Sequence, residues 1–109
     1  MVDNAVEEVD VGEEKKVKKS IKKHKLIRER ELTDLKDILS LPSGKRFLWR
    51  VLEHCHLSHS ISHRDPLDMS RVSGERDVGL WLLSEIISAD KNGYIKLMVD
   101  ATQRENNDG

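Results

Sequence analysis

Cysteine, proline and aromatic residues are scarce in this chain, and each scarcity narrows what the protein can be. Cys55 is the single cysteine, which excludes an internal disulfide framework and fits a reducing compartment. No apolar run reaches the roughly 18–20 residues that span a bilayer, so no membrane partner is expected. The N-terminus is acidic and polar, unlike a signal peptide. There is no phosphate-cradling glycine loop and no metalloprotease helix. Two tryptophans, one tyrosine and one phenylalanine leave any core to aliphatic side chains. Only Pro42 and Pro66 punctuate 109 residues, room for one domain at most. Without the charged and polar ends the core-forming part is close to the lower limit for independent folding, so packing on a partner or a second copy fits the length.

Charge is abundant and segregated. Lys, Arg, Asp and Glu make up 36% of the chain, yet the net charge is −1. Residues 1–14 carry Asp3, Glu7, Glu8, Asp10, Glu13 and Glu14 and no basic residue, a composition that predicts disorder. Residues 15–30 reverse the sign, with Lys15, Lys16, Lys18, Lys19, Lys22, Lys23, Lys25, Arg28 and Arg30 against Glu29. Val17, Ile21, His24, Leu32, Leu35, Ile38 and Leu39 fall near one helical stripe that Arg28 interrupts. A helix ending before Pro42 follows. Lysines in its first turns would oppose the macrodipole, so a start near Leu26 is expected.

The longest apolar region, SRVSGERDVGLWLLSEIISA at residues 70–89, organises the rest. Met69, Val72, Leu80, Leu83, Ile86 and Ile87 recur at spacings of three and four, predicting an amphipathic helix. Gly79 costs about 1 kcal/mol there relative to alanine, which points to a close helix–helix approach. A helix over residues 44–56, with Ser43 as its cap, would bury Phe47, Leu48, Val51, Leu52 and Cys55 and leave Trp49 off the stripe. Asp68 is a candidate cap for the central helix and Asp90 for a last one over residues 91–102, where Tyr94, Ile95, Leu97, Met98 and Ala101 form the apolar face. Residues 103–109 are polar and expected to fray. The fold class is all-α, a small bundle of about four helices behind a partly disordered charged arm. The divisions are arm 1–25, helical domain 26–102 and disordered tail 103–109.

His54, Cys55, His56, His59 and His63 suggest zinc chemistry, with His59 and His63 one helical turn apart. There is no second cluster, and an exposed polar loop, pH-responsive through histidine, is the simpler reading. A Cys55 nucleophile flanked by His54 and His56 fails because adjacent helical residues do not face each other. No catalytic residue, metal or cofactor is expected. The basic segment is the stronger signal. Lys15, Lys16, Lys18, Lys19, Lys22, Lys23 and Lys25 could neutralise phosphates or meet an acidic protein surface; no aromatics interleave to stack bases. Trp49 and Trp81 are either core residues or interface anchors.

LKDILSLPSGKRFLWRVLEHC at residues 35–55 and GERDVGLWLLSEI at residues 74–86 resemble a small domain of tailed bacteriophages, the Bbp-type phage domain named after a protein of a Bordetella podophage. The matching residues are Leu35, Leu39, Gly44, Phe47, Leu48, Trp49 and Leu52, then Gly74, Arg76, Val78, Gly79, Leu80, Trp81 and Leu82. The resemblance covers about residues 32–98. The histidine-rich loop departs from the family pattern, and the charged arm lies outside it. The resemblance implies phage origin and a virion or assembly role, and supplies no catalytic residue.

The resulting expectation is a non-enzymatic phage structural or assembly protein, in the virion or the infected host cytoplasm. Its helical module would dock on a capsid, portal or internal-core component, with Phe47, Trp49, Arg50 and Trp81 as interface residues. Other phage structural proteins are the expected partners, and self-association is compatible with the sequence. The alternative is a nucleic-acid-binding accessory protein acting through the lysine segment, with DNA as partner.

Overall fold

The computed structural model describes residues 2–57 and 65–108, with side chains from Val11 onward. Four helices follow in order: α1 (Val2–Ser40), α2 (Pro42–His54), α3 (Pro66–Ala89) and α4 (Gly93–Asp108). There is no strand among the described residues, so the protein is all-α. The chain divides into two compact units, Met1–Glu31 and Leu32–Gly109.

In the first unit α1 begins well before the expected start near Leu26. The start near Leu26 rests on lysines opposing the dipole of a helix that begins among them. Because α1 begins at Val2, the acidic block occupies its first turns, where negative charge is favourable, and the lysines fall in its interior. Lysine, glutamate and arginine are also good helix formers.

The second unit takes in the last turns of α1 and all of α2, α3 and α4. Leu41 separates the first two helices in an extended conformation (φ −97°, ψ 133°), and Pro42 opens α2, where its missing N–H costs nothing. The expected Ser43 cap is therefore not used. Gly44 packs so closely on the Ile38 carbonyl that a Cβ would collide with it. Asp65, not Asp68, caps α3, its carboxylate accepting from the Asp68 N–H at 2.9 Å. Pro66 again takes the first helical position.

The core joins Leu39 of α1, Leu48 and Leu52 of α2, Ile86 and Ala89 of α3 and Leu97 of α4. On α3 the buried positions are Val72, Gly79, Ile86 and Ala89, a narrow stripe through small residues. The expected face was wider. Met69, Leu80 and Ile87 stay exposed, as do Phe47 on α2 and Ile95 and Met98 on α4, because small residues let the backbones approach and push the large side chains to the flanks. Gly79 is where this matters. A Cβ there would lie 2.5 Å from Cys55 Cβ and 3.2 Å from the Leu57 side chain, so the close approach inferred for this glycine is present.

Asp90 ends α3 rather than capping α4. Its side chain accepts from the Asn92 N–H at 3.0 Å and its carbonyl from the Gly93 N–H at 2.8 Å. α4 then runs to Asp108, through most of the tail expected to fray. An Asp100–Arg104 ion pair one turn apart supports that extension.

Candidate docking surface

The expected interface residues separate into two environments. On α2 the 3.6-residue period puts Phe47 and Trp49 on opposite sides of the buried Leu48–Leu52 line. Phe47 is 56% exposed, and the Arg50 guanidinium carbon lies 5.7 Å from its ring centroid, within cation–π range. Trp49 is half-buried against the core. Its ring centroid is 6.3 Å from that of Tyr94 on α4, tilted by 32°. Trp49 therefore ties α2 to α4, while Phe47 and Arg50 form a surface pair.

Of the two readings of Trp81, core or interface, the core one fails. Trp81 is 60% exposed because it lies across the helix from the buried Val72–Gly79–Ile86 line. Val78, one turn earlier, is exposed beside it, and Leu80 and Ile87 are exposed on the opposite flank. Residues 78–87 are thus apolar around most of the helix, a pattern expected of a helix enclosed on all sides. Among the described residues only one side is covered. The periodicity argument missed this because it sought one apolar face and this stretch has nearly a full circle.

The histidines do not converge on a metal site among the described residues. Cys55 is buried under Gly79 and His54 is exposed. His56 adopts a left-handed backbone conformation (φ 61°) and its Nε2 lies 2.5 Å from Glu75 Oε2. Glu75 also accepts from Arg71 at 2.8 Å, and Arg71 donates to Asp68 at 2.7 Å. The His56 hydrogen bond, aided by the Arg71 charge, holds the Glu75 carboxyl below its ordinary value against a partial desolvation. This network fastens the end of α2 to α3. His59 and His63 lie outside the described residues.

A basic cleft escaped the sequence reading. Lys36, Lys45, Lys91 and Lys96 surround a floor of Leu39, Ala89, Gly93 and Leu97. They come from α1, α2, the α3–α4 turn and α4, so no charge run announces them. Asp90 is the single carboxylate in the lining. Lys96 Nζ donates to it at 2.8 Å, and that bond, with the Asn92 N–H, lowers its pKa. The excess of lysine suits an anionic group. The lysines expected to contact nucleic acid, Lys15, Lys16, Lys18, Lys19, Lys22, Lys23 and Lys25, are all exposed along α1.

The family model described as "Bbp19-like phage protein" matches residues 35–99. The match takes in the last turns of α1, all of α2 and α3 and most of α4, and the lysine segment lies before it. No curated protein and no solved structure matches the chain. Among the described residues, no helix is long and apolar enough to cross a membrane.

Proposed function

The chain belongs to the Bbp19-like phage protein family, and from that premise we propose that it is a non-enzymatic docking module of virion assembly. Its role is to seat on a capsid, portal or internal-core protein. The observation that carries this reading is the exposed apolar surface of α3, where Val78, Leu80, Trp81 and Ile87 stay outside the core. Exposed apolar surface of this kind, with polar neighbours such as Asp77 and Ser84, is characteristic of protein contact sites, and tryptophan is a frequent energetic centre of such sites. The basic cleft around Asp90 would favour a partner with acidic side chains nearby. Phe47 and Arg50 supply a second aromatic contact.

The test is mass spectrometry of purified full particles and DNA-free heads made with wild-type or Trp81→Ala protein. Wild-type protein at a fixed copy number in both particle forms, with loss of the variant, is the expected result. Absence of wild-type protein from both forms would reject a resident virion role.

The continuous exposure of the seven lysines on α1 supports a second reading, contact with packaged DNA. It predicts affinity for duplex DNA that falls steeply with salt and is lost on deletion of residues 1–25. Presence in full particles but not in emptied heads would favour it over capsid or portal docking.

A further inference from the structure

The basic cleft lies wholly within the unit Leu32–Gly109. Four lysines and one carboxylate line it, an excess of three positive charges. The fold itself uses little of that charge. Lys96 is paired with Asp90, and Lys36 acts on the same carboxylate through its charge. Lys45 and Lys91 form no ion pair among the described residues. The cleft also continues beyond these lysines. Lys45 and Lys96 border a second groove along α4, lined by Ile95 and Val99. These two are 55% and 49% exposed and one turn apart, so they share a face of the helix. The carboxylate beside them, Asp100, is held by Arg104. Two apolar strips result, Leu39 with Leu97 and Ile95 with Val99, and unneutralised lysine borders both.

This pairing of charge and apolar surface selects among anions. A phosphate backbone would use the lysines, leave both strips idle and set its own charge against Asp90. A small inorganic anion would fill little of a cleft of about 660 Å³. An acidic protein segment with aliphatic side chains between its carboxylates uses every part. We propose that the cleft and the α4 groove together seat such a segment of a partner protein. Its carboxylates meet Lys36, Lys45 and Lys91, and its aliphatic side chains lie on Leu39 and Leu97 and on Ile95 and Val99. The charges attract and orient the segment and are screened by salt, and the strips make it prefer aliphatic over polar side chains. The proposal rests on the reading of the chain as a docking module and adds a contact separate from the Trp81 surface.

The test is fluorescence anisotropy of the full chain with a short labelled peptide of repeating Glu-Leu-Glu, beside a Glu-Ser-Glu repeat and a duplex DNA. The leucine peptide should bind about tenfold more tightly than the serine peptide, and its binding should weaken as salt is raised. Lys91→Glu, an exposed change in the α3–α4 turn, should weaken both peptides about fivefold. Ile95→Ser, on the exposed face of α4, should weaken only the leucine peptide, an outcome that a loss of folding would not give. The double variant Lys18→Glu with Lys22→Glu, and Trp81→Ala, should both bind the leucine peptide as wild type does. Equal affinity for the two peptides, binding lost with Lys18 and Lys22 instead of Lys91, or duplex DNA binding weakened by Lys91→Glu as much as peptide binding is, would each overturn the proposal. So would a wild type that binds neither peptide, and that failure would leave incorporation into particles through Trp81 to stand or fall by its own test.

Discussion

His56 Nε2 and Glu75 Oε2 lie 2.5 Å apart, joining the residue just past α2 to the first half of α3 across the loop between them. Because the native Glu75 pKa is depressed from about 4.5, its contribution to stability is fully present above that value. The contribution is lost as pH falls through the native pKa. Glu75→Gln should therefore unfold at lower urea than wild type at neutral pH. The two should converge in acid, below the native pKa. Urea midpoints measured across the acid limb check this; a constant difference at every pH would place the effect elsewhere.

His56 sits where helices most often end on glycine. A left-handed conformation costs a non-glycine residue about 1–2 kcal/mol, and the bond to Glu75 offsets some of that. His56→Ala should lose the bond and keep the strain, whereas His56→Gly should lose both. The glycine variant is therefore expected to be more stable than the alanine variant by about 1 kcal/mol, read from chemical denaturation. Equal stabilities would mean that the backbone at residue 56 is unstrained.

Gly79 offers a contest between two effects of opposite sign. Alanine would favour the helix by about 1 kcal/mol. Its Cβ would also fall 2.5 Å from Cys55 Cβ, an atom fixed to the backbone that cannot swing aside. Overpacking of this kind costs about 1–3 kcal/mol, so Gly79→Ala should lower the melting temperature. Gly74, with open space around its Cβ position, is the control. Gly74→Ala should raise it.

The two tryptophans should behave differently when removed. Trp49→Ala takes away a side chain packed on Tyr94 and the core and should cost about 1–3 kcal/mol. Trp81→Ala removes mostly solvent-facing surface and should change stability by less than about 0.5 kcal/mol. Emission spectra give a direct check: Trp81 alone, in the Trp49→Ala protein, should emit as a hydrated indole, and Trp49 alone at shorter wavelength.

Helix type and approximate position were readable because Leu48 and Leu52, or Val72, Gly79 and Ile86, keep helical spacing and because prolines mark where helices begin. The close approach at Gly79 was readable from its helix cost alone. What the sequence hid has two physical sources. Helix ends depend on which of several adjacent groups wins the backbone N–H: Asp65 over Asp68, and Pro42 over Ser43. Exposure on α3 depends on how many sides its neighbours cover, so Trp81 reads as core by composition and is surface by packing. The basic cleft draws its lysines from separate elements, and no local pattern joins Lys36 to Lys96.

The burial of Cys55 beneath Gly79 has a chemical consequence. Its residue is only 6% exposed, so an alkylating reagent cannot reach the sulfur while α2 and α3 are in contact. With one thiol in the chain, each labelling event records a moment when those helices have parted. The protein thus contains an intrinsic recorder of its own breathing. The rate at which the thiol is modified measures how often the pair opens.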